Sequence, residues 1–206
     1  MKKVLIGMPN TGTIPYKTVS CLLRLELRMG EGNIELMESS SIHDARNWYA
    51  LETIEKGFDY LLFIDSDMVF PDDVIEKLMA LDADIASGVY YGRAGQHTPI
   101  VYDKLTPIQK TENEVIAAES HHFDQIPEGT FDIKGCGMGM CLIKVEALKK
   151  MCDKYQFCPF EPFGGFGEDL AFCYRASEMG LTMKANAYIP LGHIGTAIYT
   201  AKDYQK

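Results

Sequence analysis

Two carboxylates, Asp65 and Asp67, follow directly on the apolar run Tyr60–Ile64 in "FDYLLFIDSDMVFPDDVIEKL". Bare acids at the tip of a buried segment repel each other and resist leaving water. Side chains two apart on an extended segment point to the same side. Both carboxylates are therefore expected to reach one cation and the ligand it holds. Hard oxygen ligands suit Mg2+ or Mn2+, which complete their shells with water and phosphate oxygens. The plainer reading is a loop pair that caps the next helix. A second acidic pair, Glu168 and Asp169, opens a helical pattern behind the aromatic, glycine-rich "CPFEPFGGFG". Acids in a first turn complement the helix dipole, worth about 0.3–1 kcal/mol. The chemical reading makes Asp169 a general base toward a hydroxyl, with Glu168 orienting that acceptor.

The elements that must carry these acids alternate. Strands are expected at Lys3–Met8, Ile34–Met37, Tyr60–Ile64 and Asp84–Val89. Between them the periodicity predicts helices from Tyr16 to Met29, from Ser41 to about Lys56, and from Pro71 to about Leu81. Val19, Leu22, Leu23 and Leu27 mark the apolar stripe of the first. Ser41 with Asp44 three positions on is an acidic variant of the capping box, and Gly57 ends that helix. Alternation of this kind implies a parallel sheet with right-handed crossovers, the α/β class. Ligands of open parallel sheets gather at the carboxyl ends of strands, which is where Asp65 and Asp67 fall.

Beyond Gly88 the pattern changes. "VYYGRAGQHTPIVYD" reads as strand, turn, strand, and Thr106–Gly129 as a polar loop or weak hairpin. "FDIKGCGMGMCLIKV" suggests two strands about a glycine-rich bend. Helices follow at Val145 to about Cys152 and Glu168–Met179, the latter closed by Gly180. A last strand at Met183–Ala187 precedes the tail "LGHIGTAIYTAKDYQK". No repeat or linker divides the chain, so one domain is expected over 1–206. About 1–90 is expected as a first half, about 91–195 as a second, and 196–206 as a tail.

Composition narrows the partners. Of the 206 residues 47% are hydrophobic, enough for a proper core. Net charge is −9 and no basic run occurs, which argues against nucleic acid as the main partner. No apolar run approaches the roughly 18 residues of a membrane helix. The start, "MKKVLIGMPNTG", imitates a signal peptide, but its apolar stretch stops at Pro9 and reads better as a first core strand. The six cysteines show no CxxC pair and several lie in apolar surroundings, so reduced, mostly buried thiols and a cytoplasmic location are expected.

"LLFIDSDMVFPDDVIEKL" resembles the DxD region of GT-A fold glycosyltransferases, the family 2-like group especially. "ARNWYALE", with Arg46 and Asn47, resembles the segment along their nucleotide pocket. "GCGMGMCLIKVEAL" resembles the glycine-bearing strand and helix before the acceptor site, and "FGEDLAFCYRASEMG" the "ED" helix of inverting members. The four stand in the family's order and span most of Lys3–His193. The resemblance implies a GT-A, Rossmann-like, mixed but mainly parallel sheet flanked by helices, with a small antiparallel addition. It implies a hexosyltransferase-type enzyme moving a sugar from a nucleotide-diphosphate donor to a carbohydrate or other hydroxyl acceptor, with Mn2+ or Mg2+ and inversion. Asp65 would then touch ribose or sugar, and Asp67 would bind the metal on the diphosphate. His193 would be a second metal ligand, where a histidine between glycines otherwise reads as a packed loop residue.

Pro9, Asn10 and Thr11 at the first strand end, with Ser66, are expected on the donor side. Arg46 reads either as a donor-site arginine, its fixed fork meeting phosphate or base, or as a surface helix residue. Gly137, Phe163, Gly165 and Phe166 are expected on the acceptor side. Phe163, Phe166, Tyr90 and Tyr91 are each either sugar-stacking or core residues, and "PFGGFG" reads as a closing lid. The chain is short for this class, so the acceptor site is expected to be shallow or to draw on a second copy in a homo-oligomer. Three rivals stand beside this reading. A haloacid-dehalogenase-type phosphatase would use Asp65 as nucleophile and Asp67 as acid/base, but its motif normally opens the domain. A nucleotidyltransferase would want an early glycine-rich, basic phosphate loop, of which "GMPNTGTIPYK" is a poor version. A non-catalytic nucleotide-sugar binding module would keep the acids for binding alone.

Overall fold

The computed structural model describes residues 2–10, 12–29, 32–38, 41–93, 97–110, 115–195, 198–200 and 202. Three strands open the chain in alternation with helices: β1 (Val4–Asn10), α1 (Tyr16–Met29), β2 (Gly32–Glu38), α2 (Ile42–Glu55), β3 (Tyr60–Ile64). A two-residue β4 (Met68–Val69), α3 (Val74–Met79) and β5 (Ile85–Gly88) follow. Then come β6 (Val101–Thr106), β7 (Gln109–Lys110), β8 (Val115–Ile116), β9 (Glu119–His122), β10 (Thr130–Asp132) and β11 (Gly135–Cys136). The chain continues with β12 (Met140–Lys144), α4 (Val145–Lys154), α5 (Glu168–Glu178), β13 (Met183–Asn186), β14 (Gly192–Ile194) and β15 (Ile198–Tyr199).

Seven strands form the main sheet in the order β10-β13-β5-β12-β3-β1-β2. β2, β1 and β3 run parallel, as do β5 and β13, while β12 lies antiparallel to both β3 and β5. β10 adds an antiparallel edge. The sheet is therefore mixed and mainly parallel, with small antiparallel sheets beside it (β11-β6-β9, β15-β14-β4 and β7-β8). Its central strands are apolar on both sides, as sheets covered by helices require. Leu5, Leu61, Phe63, Ile85 and Ile143 face the cluster under α2, α4 and α5. Ile6, Leu62, Ile64, Ala86 and Leu142 face the opposite cluster, with Cys21 and Leu25 of α1 and Leu78 of α3.

Local chemistry sets the helix ends. The Ser41 hydroxyl accepts the Asp44 backbone N–H at 3.4 Å, as the capping pattern predicts. Ser41→Ala is expected to cost about 1 kcal/mol, read as a lower urea midpoint at unchanged slope. Gly57 ends α2 and Gly180 follows α5, both with φ of +70°, a region open to glycine at no steric cost. Some local features differ from expectation. α3 starts at Val74, because Pro71 opens a turn in which the Val74 N–H bonds back to the Pro71 carbonyl. On α1 the buried face is Thr18, Cys21, Leu22 and Leu25, one step round from the exposed Val19 and Leu23. The first arm of "VYYGRAGQHTPIVYD" is a single bridge, Tyr91 to Pro99, rather than a strand.

Candidate active site

The order β2-β1-β3 reverses direction at β1, which opens a crevice beyond the carboxyl ends of β1 and β3. A cleft of about 420 Å³ occupies it. Pro9 and Asn10 enter from the end of β1, and Asp65, Ser66 and Asp67 from the end of β3. Tyr90 and Arg93 come from the segment after β5, Met138 from the bend before β12, and His193 from β14. Ile42 and Arg46, one turn apart on the first half of α2, close one wall, and Glu168 and Asp169 at the start of α5 close another. One edge of the sheet thus gathers both acidic pairs singled out in the sequence. Thr11 lies outside the described residues.

Arg46 is the hub of one half. Its Nη2 lies 3.1 Å from Asp65 Oδ1 and its Nε 3.4 Å from Glu168 Oε1. The guanidinium sits 4.9 Å from the centre of the Phe63 ring, and the residue is 3% exposed. Burial works against its charge, but Asp65, Glu168 and Asp169 outweigh that and hold it firmly protonated. Its Nη1, also buried, has no hydrogen-bond partner in the protein. A buried donor without a partner is costly, and here it belongs to a side chain that lines the cleft. Arg46 is therefore a buried cleft residue rather than a surface helix arginine.

Asp67 is the hub of the other half. Arg93 Nη1 pairs with its Oδ2, and His193 Nε2 lies 3.3 Å from its Oδ1. β4 and β14 pair antiparallel, with His193 opposite Met68, and this small sheet brings the imidazole beside the carboxylate. The His193 Nδ1 faces the Tyr91 carbonyl at 2.9 Å. A carbonyl only accepts, so Nδ1 carries a proton. In the neutral ring Nε2 then offers a lone pair toward an oxygen that also only accepts. Such a pair is satisfied by a positive occupant, either a second proton or a cation. Burial opposes the Asp67 charge, yet the His193 hydrogen bond and the His193 and Arg93 charges outweigh it and hold the carboxyl below its usual range.

Asp65 and Asp67 do not converge as an extended segment would have them. Ser66 and Asp67 form a turn, with the Met68 N–H bonded to the Asp65 carbonyl, so Asp65 turns to Arg46 and Asp67 to Arg93 and His193. Among the described residues, the one group of three acidic, histidine or cysteine ligand atoms within 4.8 Å is His43, Asp44 and Glu161. Asp65, Asp67 and His193 are not such a group. The bend before β12 approaches closely at Gly139. Its N–H donates to the Tyr90 hydroxyl at 3.1 Å, and a Cβ there would stand 2.9 Å from that hydroxyl and 3.1 Å from Asp65 Oδ2.

Asp169 is largely withdrawn from water. Burial, then the neighbouring Glu168 charge, push its carboxyl up to about 6. The Leu170 N–H donates to Asp169 Oδ1 at 2.7 Å, which fixes its orientation. The expected acceptor-side residues fall elsewhere. Gly137, Phe163, Gly165 and Phe166 are not among the residues lining the cleft. The "PFGGFG" loop packs on the polar excursion instead, with Gly164 against Pro107 and Gly165 against Ile108 and Ala118. Phe163 stacks on Tyr174 at 6.0 Å, and Phe166 is buried. Asn47 also has a structural task, accepting the Phe160 N–H at 2.9 Å. Arg93, Ile42 and Ile100 escaped the sequence reading. The signal for Arg93 was its place, a lone arginine five residues beyond the end of β5.

Shape comparison sets the chain among GT-A-like α/β proteins. No family model matches the sequence, and no curated protein sequence matches it. Among solved structures, A197 from STIV matches with a TM-score of 0.66 and 21% identity, over 95% of this chain and 86% of that one. Mannose-1-phosphate geranyltransferase from Thermus thermophilus matches at 0.51 and 9% identity, over 93% of this chain and 76% of that one. GalNAc-T7 with UDP, GalNAc and Mn2+ matches at 0.53 and 10% identity, over 99% of this chain and 45% of that one. These likenesses show the mixed, mainly parallel GT-A-like fold. No helix among the described residues is long and apolar enough to cross a membrane.

Proposed function

We propose that this chain is a metal-dependent glycosyltransferase of the family 2-like group. It would pass a sugar from a nucleotide-diphosphate donor to an acceptor hydroxyl with inversion. The observation that carries the reading is one cleft holding both Asp67 beside His193, which we read as a cation seat, and a carboxyl held up to about 6, Asp169. The first ninety residues supply the donor side, through Pro9, Asn10, Thr11, Asp65 and Ser66. The two-ligand seat of one carboxylate and one imidazole suits Mn2+ or Mg2+, with room for water and phosphate oxygens. Bound there, the cation supplies Lewis-acid neutralisation of the charge that builds on the departing diphosphate.

The remaining work belongs to side chains. Arg46 holds Asp65 in place, and its unpaired Nη1 is available to a donor oxygen. Asp65 and Ser66 face ribose or sugar. Asp169 takes the acceptor proton as the hydroxyl oxygen attacks the anomeric carbon from the side opposite the diphosphate. Attack from that side inverts the sugar centre. Its carboxyl near 6 is mostly ionised at neutral pH, yet basic enough to accept a proton. Glu168, held by Arg46, stays beside it and orients the acceptor.

The direct test is a melting-temperature screen of nucleoside diphosphates with Mn2+. A rise of several degrees is expected for the cognate base, and Asp67→Ala is expected to abolish it. A rise that persists in Asp67→Ala would place the diphosphate elsewhere. A phosphatase would instead hydrolyse a generic phosphate ester and be trapped by a phosphate mimic on Asp65. A pure binding module would show the shift without transfer or donor hydrolysis.

A further inference from the structure

Arg93 reaches across the mouth of the cleft to Asp67, the carboxylate assigned as the cation's oxygen ligand. Asp67 is mostly covered, with 19% of its side chain exposed, while 51% of Arg93 remains in solvent. The guanidinium therefore takes Oδ2 from the open side, and His193 takes Oδ1 from the protein side. A guanidinium on one oxygen of this carboxylate and a divalent cation on the other, toward His193, would stand within a few ångström of each other and repel strongly. The same guanidinium is also the side chain best shaped to hold a phosphate, through paired N–H donors. Arg93 follows Gly92, whose N–H bonds to the Thr98 carbonyl at 2.9 Å, so the start of the arm is tied down while half of the Arg93 side chain stands in solvent.

We infer that Arg93 is a placeholder that exchanges partners: it neutralises Asp67 in the empty cleft and moves to the donor's diphosphate when a cation enters. Cation and diphosphate then bind cooperatively, because each relieves a cost of the other. The cation must displace Arg93, and the diphosphate gives the displaced guanidinium a new anion. No bond forms or breaks in the exchange. The inference rests on the assignment of Asp67 as a cation ligand, so the test separates the two.

Mn2+ binding is titrated by the loss of the free-ion EPR signal in the parent chain, Arg93→Gln and Asp67→Asn. Nucleoside diphosphate binding is titrated by calorimetry at saturating Mn2+. Without nucleotide, Arg93→Gln is expected to bind Mn2+ at least about threefold more tightly, since an ion pair with one exposed partner is lost as competitor. With Mn2+ saturating, the same variant is expected to bind nucleoside diphosphate about tenfold more weakly, since a charge-assisted pair is lost. Unchanged or weaker Mn2+ binding in Arg93→Gln, with binding abolished in Asp67→Asn, would overturn the exchange and leave the cation seat standing. Equal Mn2+ binding in the parent and Asp67→Asn, or no binding in any of the three, would overturn both.

Discussion

Asp169→Asn is expected to lower turnover by about 10²–10⁴-fold, the usual weight of general base catalysis, with donor binding retained. The same change is expected to make the protein more stable. Burial and Glu168 raise the Asp169 carboxyl from 3.8 to about 6 in the folded chain. A raised folded value means that the protonated form suits the fold and the ionised form costs it. Relative stability is therefore full below the unfolded value near 4 and is lost as pH rises through 6. An asparagine keeps the acceptor for the Leu170 N–H and never ionises. At pH 7.5 the variant should gain about 3 kcal/mol, which raises the melting temperature by about 6–12 °C in a chain of this size. At pH 4 the difference should vanish. In the parent chain, the transfer rate expected from the proposed function should fall at saturating substrate as pH drops through 6. Full turnover in Asp169→Asn would refute the base, and a melting difference independent of pH would refute the burial argument.

Arg46→Met is expected to destabilise the fold strongly. Only 4% of the Arg46 side chain is exposed, whereas Asp65 and Glu168 retain 35% and 24%. Removing the cation leaves two carboxylates facing one cavity without a partner. Breaking one side of such a cluster costs about 3 kcal/mol, which lowers the melting temperature by about 6–12 °C. Its charge also helps to keep Asp169 ionised, so the Asp169 carboxyl should rise further in the variant. Adding Asp65→Asn and Glu168→Gln removes the stranded charges and should return much of the stability. A single variant as stable as the parent would show that the cluster contributes nothing net.

Much of this layout is legible in local chemistry. Leu61–Ile64 are fully buried, and a carboxylate straight after such a run had to stand at a strand end. Glu168 and Asp169 begin α5 because Gly167 and the loop before them break the pattern. What the sequence conceals is pairing at a distance. Nothing near Asp67 announces Arg93 or His193, which reach it from far along the chain. The turn at Ser66 was hidden because Ser and Asp suit an extended chain end as well as a turn. The polar stretch after Thr106 reads as loop because its strand β9 is largely exposed, and "PFGGFG" finds its partners in that stretch rather than over the cleft. The polar interior of the site is the part that pattern reading resolves least, since each charge is placed by a tertiary partner.

The antiparallel β12 also governs how the molecule can be made. Because it lies between β3 and β5, those two strands cannot join one sheet in native order until residues 140–144 have left the ribosome. A nascent chain of the first ninety residues leaves one edge of β3 and both edges of β5 without their native partners, a state prone to aggregation. The half that bears Asp65 and Asp67 is thus no independent folding unit, and its assembly waits on the later half of translation.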